Sequence, residues 1–151
     1  MGDYATLRFQ APLNEYGKLL VERLSSPPWP SWRDLVGEFP EVASYAAHDR
    51  AEFIPRGGLC YAPEGWEQEN KVEDGVWRVC CSIKLESWST ITAFLLNVLP
   101  KMVDGPAIVF VYNELSGVTE RHEIRADQVA LAPLLIHATH PAMVSRAAFG
   151  W

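Results

Sequence analysis

The chain has 151 residues, 48% of them hydrophobic and 21% charged, the composition of one globular domain with enough apolar surface to bury a core. A formal net charge of -6 and a pI near 5.2 argue against general binding to nucleic-acid phosphates, which needs clustered Lys and Arg, and favour a basic partner. No apolar run is long enough to span a bilayer, and Met1, Gly2 and Asp3 do not begin a signal-peptide pattern, so a cytoplasmic protein without membrane contact is expected.

From Tyr4 to Phe9, Tyr4, Thr6 and Arg8 alternate with Ala5, Leu7 and Phe9, which predicts an N-terminal strand. Asn14 caps a following helix whose apolar face is Tyr16, Leu19, Leu20, Val21 and Leu24, and Ser25-Ser26-Pro27-Pro28 ends it. Pro27-Pro28-Trp29-Pro30 reads as an extended, rigid connector, because proline fixes its own backbone and restricts the residue before it. Ser31 caps a short second helix carrying Trp32, Leu35, Val36 and Phe39; Pro40 interrupts it, and Glu41 to His48 supply a further helical turn. Between Ala51 and Trp77, Pro55, Gly57, Gly58, Pro63, Gly65 and Gly75 break up the chain around a short strand at Leu59 to Ala62. This is the longest irregular region expected, and a rigid scaffold can display function on such a segment.

Val76 to Leu85 has the period-two pattern of a half-buried strand, with Trp77, Val79, Cys81, Ile83 and Leu85 on the apolar side. Trp88, Ile91, Phe94, Leu95, Val98, Leu99 and Met102 then recur at helical spacing and form one wide apolar stripe, until Pro100 and Asp104-Gly105-Pro106 favour termination. Ala107 to Tyr112 suits a central strand, Asn113 to Gly117 a turn, and Val118 to Arg125 a returning strand with Thr119, Arg121, Glu123 and Arg125 on its more polar face. From Gln128 onward the sequence admits a terminal helix or extended chain, limited by Pro133 and Pro141. The predicted fold class is therefore α+β: a single domain over residues 1–151 with a mainly antiparallel sheet packed on one face by amphipathic helices.

The groups able to carry chemistry are few. Cys60, Cys80 and Cys81 read as reduced thiols, since the adjacent pair points to opposite faces of a strand. Cys60 is a nucleophile only if folding brings a base to it. His137 and His140 have zinc-ligand spacing, but Pro141 disfavours a helix there and no paired-cysteine motif supports a site, so neither a metal nor any other cofactor is assigned. His122, beside Arg121 and Glu123, reads as a cross-strand or surface contact rather than a general base. There is no phosphate-binding glycine loop, no Gly-x-Ser-x-Gly elbow and no His-Glu-x-x-His helix, and no catalytic residue is assigned. Of six Trp, Trp77 and Trp88 fall on predicted core faces, whereas Trp29, Trp32, Trp66 and Trp151 fall in or near loops, with Trp32 the one whose apolar neighbours at helical spacing favour core packing. Trp66 sits among Glu64, Glu67, Glu69, Glu73 and Asp74 with only Lys71 to offset them. One reading is a solvated acidic loop with a partly buried Trp; the other is a recognition loop in which Trp66 anchors a partner and the carboxylates steer it.

The segment from Val76 through Arg125, especially SWSTITAFLLNVLP followed by AIVFVYNE, resembles the strand–helix–hairpin organisation of small bacterial immunity proteins encoded beside polymorphic or contact-dependent toxins. The resemblance implies a small, acidic, non-enzymatic domain that occludes a cognate toxin or effector. These families share no binding motif, so no residue role is transferred. The partner-binding residues expected here are Glu64, Trp66, Glu67, Glu69, Glu73 and Asp74, complementing a basic active-site rim. The alternatives are a secretion chaperone with an exposed apolar groove, or a small-ligand or metal-dependent enzyme built on Cys60 and the C-terminal histidines.

Overall fold

The computed structural model describes residues 3–126, and residues 128–137 as the backbone of a strand. Six strands form one sheet: β1 (Tyr4–Pro12), β2 (Glu69–Glu73), β3 (Val76–Lys84), β4 (Ala107–Asn113), β5 (Val118–Arg125) and β6 (Gln128–His137), in the order β2-β3-β1-β4-β5-β6. Every neighbouring pair is antiparallel, as expected, and the sequence from Gln128 takes the extended alternative. The register sets Leu7 opposite Cys81 and Val111, and Phe9 opposite Val79 and Val109. Because side chains alternate along a strand, these residues and Trp77 and Ile83 all share one face.

Helices close that face. In α1 (Glu15–Leu24) the Asn14 side chain accepts from the Gly17 N–H at 2.7 Å, while its amide donates to the Lys101 carbonyl at 2.9 Å, so a single residue both caps the helix and ties it to the next layer. Gly17 is required there, since a Cβ would stand 2.3 Å from the Met102 carbonyl oxygen. Ser31 caps α2 (Trp32–Leu35) in a reciprocal capping box with Asp34. A 3-10 turn at Pro40–Val42 leads into α3 (Ala43–Ala46), and α4 (Phe53–Arg56) lies inside the region expected to be irregular. Leu59 to Ala62, expected as a strand, is not one. Nor is the proline connector simply extended: Trp29 has φ 60 and donates its N–H to the Ser26 carbonyl at 2.9 Å, closing a turn that leaves its ring exposed.

The helical stripe after β3 runs as α5 (Trp88–Ala93), a π segment (Phe94–Val98) and α6 (Leu99–Met102). Pro100 does not end it. Proline lacks an N–H and its ring presses on the carbonyl one turn back, and here the helix widens over the preceding turn before it resumes. Phe94, fully buried, sits at the centre of the core with its ring 5.8 Å from Phe9, 6.2 Å from Trp32, 5.4 Å from Tyr45 and 6.3 Å from Trp77. Edge-to-face arrangement of most of these pairs adds directional attraction to the area they bury.

Candidate functional site

The opposite face of the sheet carries Thr6, Arg8 and Gln10 from β1, Arg78, Cys80 and Ser82 from β3, and Ile108, Phe110 and Tyr112 from β4. Among the described residues, the strap from Leu59 to Trp66 crosses it, and Trp66 packs in a small cluster with Cys80, Ile108 and Phe110, flanked by Leu59, Ala62 and Tyr112. The Trp66 ring lies 6.4 Å from that of Tyr112 in an edge-on arrangement, and the Arg8 guanidinium stands 5.7 Å from the Trp66 ring centroid. With 5% of its surface exposed, Trp66 packs the strap onto the sheet, as in the reading of a buried Trp in an acidic segment, and its ring is not displayed as the anchor of the alternative reading. Burial in this cluster pushes the Cys80 thiol up to about 12, and Cys81, on the helical side, is raised further by complete burial. The adjacent cysteines thus point to opposite faces and stay unpaired.

The acidic residues do not form one loop. Glu69 and Glu73 lie on β2, the outermost strand, and β2 and β3 are joined by Asp74 and Gly75 at φ 54 and 76. Two successive positive φ values make a tight hairpin turn whose twist matches its strands. Lys71 stands between the two glutamates, 3.5 Å from Glu69 and 3.3 Å from Glu73, and Arg78 reaches Glu73 at 2.9 Å. The Arg78 guanidinium, seconded by Lys71, holds the Glu73 carboxyl below its ordinary value. Glu64, Glu67 and Asp74 are exposed and form no ion pair among the described residues. The six expected partner residues therefore divide into a buried ring, two carboxylates neutralised within the hairpin, and three carboxylates turned outward.

A second feature lies at the other end of the strap. A cavity of about 230 Å3 is lined by Tyr4, Arg50, Phe53, Gly58, Leu59, Cys60, Ser82, Ile83 and Lys84. The Cys60 N–H donates to Ser82 Oγ at 3.1 Å, and Ser82 Oγ shares a 2.9 Å hydrogen bond with Thr6 Oγ1. Gly57 presses so closely on β3 that a Cβ would lie 2.0 Å from the Ser82 carbonyl oxygen. Desolvation, then the neighbouring Cys60 thiol with its hydrogen bond, raises the Tyr4 hydroxyl, and Arg50 opposes them. Among the described residues, no imidazole or carboxylate lines the cavity beside Cys60.

The histidines do not join it. His122 is not a surface contact: it is 8% exposed, shares the helical face with Val109, and its Nε2 lies 3.2 Å from Glu120 Oε2. His137 is described only as the last residue of β6, and His140 and Trp151 lie outside the described residues. Among the described residues no group of three or more His, Cys, Asp or Glu is placed to hold a metal, and no helix is long and apolar enough to cross a membrane. Sequence reasoning gave no site role to Arg8, Arg50 or Lys84; Arg8 and Lys84 carried a local signal, as polar partners in the alternations of Tyr4 to Phe9 and Val76 to Leu85, and Arg50 carried none. No protein-family model matches the chain, and no curated protein or solved structure matches it.

Proposed function

We propose that this protein is a non-enzymatic, cytoplasmic binding domain: an immunity-like inhibitor that occludes a cognate toxin or effector with a basic surface. The observation that carries this reading is the exposure of Glu64 in the strap turn, Glu67 before β2 and Asp74 in the hairpin turn after it, with Glu69 and Glu73 on β2 itself. Carboxylates held on a strand and a tight turn are oriented before a partner arrives, so little ordering cost falls on binding. Their charge speeds encounter with a basic rim and disfavours acidic partners. Trp66 supports this surface from beneath by holding the strap on the sheet.

The test is stoichiometric titration of the captured partner. The expected result is one-to-one loss of the partner's activity by a folded complex whose association slows as salt is raised. Capture only of an unfolded segment, with activity intact, would replace inhibition by the chaperone alternative.

A further inference from the structure

The cavity beside Gly58, Leu59 and Cys60 is out of keeping with the charge of the chain. In a protein of formal charge -6, its lining among the described residues holds two cations, Arg50 and Lys84, and no carboxylate. Arg50 already has a counter-charge, since Glu86 pairs with it at 3.1 Å, and the Glu114 carboxylate accepts the Tyr4 backbone N–H at 2.9 Å. Lys84 lies opposite Tyr4 in the sheet register, is half-buried, and forms no ion pair among the described residues. The polar groups around it are already partnered, Ser82 with Thr6 and the Cys60 N–H, and the Tyr4 hydroxyl with the Cys60 side chain. Among the described residues, Lys84 is the lining charge without an ion-pair partner.

The remaining walls are apolar. Phe53 is 41% exposed, with the Arg50 guanidinium 5.8 Å from its ring centroid, and Leu59 completes that side, while the Ile83 side chain belongs to the core on the helical face. A bare inorganic anion would satisfy Lys84 and leave Phe53 and Leu59 wet, whereas a neutral apolar molecule would leave the ammonium unpaired in a half-buried place. The volume of about 230 Å3 falls below the range of about 300–1,000 Å3 usual for larger ligands, so the occupant is small. We infer that this cavity binds a small organic anion, a carboxylate with a short apolar chain, with Lys84 taking the charge and Phe53 and Leu59 the chain.

Titration of the isotopically labelled full chain with hexanoate, followed by amide NMR, tests it. The Gly58, Leu59, Cys60 and Lys84 amides shift saturably with hexanoate, while hexanol and hexylamine bind at least about tenfold more weakly, the scale of one charge-assisted contact. Lys84→Gln reduces hexanoate affinity by a similar factor and leaves the thermal melt in place. The inference is overturned if these amides do not move with hexanoate, or if hexanol or hexylamine shifts them as well as hexanoate does. Because the uncharged and cationic probes are compared on the unaltered chain, the outcome stands even if Lys84→Gln fails to fold.

Discussion

One face of the sheet is sealed by helices over a continuous aromatic core, Phe9, Trp77 and Phe94 with Trp32 and Tyr45; the other is closed by a short strap pinned at Trp66 and shared with charged side chains. The first is a global structure in which each ring touches several elements. The second is a local one, held by few apolar groups. That difference separates what stabilises the fold from what is available for recognition: the strap face tolerates Arg8, Arg78 and Lys84 beside hydrophobic contacts, and the acidic groups emerge along its rim.

Truncation of the two buried tryptophans tests the contrast most strongly. Trp77→Ala, which also strands the Asn70 side-chain oxygen now 2.8 Å from the indole N–H, is expected to cost about 3–5 kcal/mol in urea unfolding. Trp66→Ala is expected to cost less, about 2–3 kcal/mol, with the far-ultraviolet spectrum retained. Equal losses would mean that the two faces form one cooperative core.

Gly57→Ala probes the strap where it touches β3. Its new methyl would meet backbone oxygens of Ser82 and Phe53, at 2.0 and 2.9 Å, which cannot rotate away as a side chain can. A loss of about 1–3 kcal/mol is expected in the same unfolding assay, together with altered Cys60 and Ser82 amide resonances. A neutral effect would show that this approach is not a structural constraint.

The smallest effect is electrostatic. The Glu73 carboxyl is depressed in the folded chain by Arg78 and Lys71, so its contribution is present above the ordinary glutamate value of about 4.3 and is lost as pH falls through the lower folded value. Glu73→Gln is therefore expected to flatten the acid limb of the stability curve and leave the curve's shape near neutrality unchanged. An unaltered acid limb would remove this pair from the account, and screening by solvent at the exposed hairpin keeps the effect modest.

The helical face was largely legible because its signals are periodic and local: the alternation of Trp77, Val79, Cys81 and Ile83, the stripe through Phe94 and Leu99, and the caps at Asn14 and Ser31 all correspond to the observed elements. The strap face was not, because Trp66 owes its burial to Cys80 and Phe110, residues distant in sequence with which no local pattern connects it. Asp74-Gly75 was a readable exception, since that dipeptide is a strong hairpin signal and would have turned part of the expected irregular region into β2 and its turn. Pro100 misled for the opposite reason. A tightly packed apolar stripe carried the helix through it, at the cost of a widened turn. The cavity had no sequence counterpart at all, because Arg50, Cys60 and Lys84 meet only through the pairing of β1 with β3 and the placing of Gly58, Leu59 and Cys60 beside them.

The most direct test of the binding account is capture of the partner by the triple variant Glu64→Gln, Glu67→Gln, Asp74→Asn, set beside the unaltered chain at matched salt. Loss of one dominant, basic, folded partner, with the urea midpoint unchanged, is the predicted result. Retention of that partner in equal amount would contradict the assignment of recognition to the acidic rim.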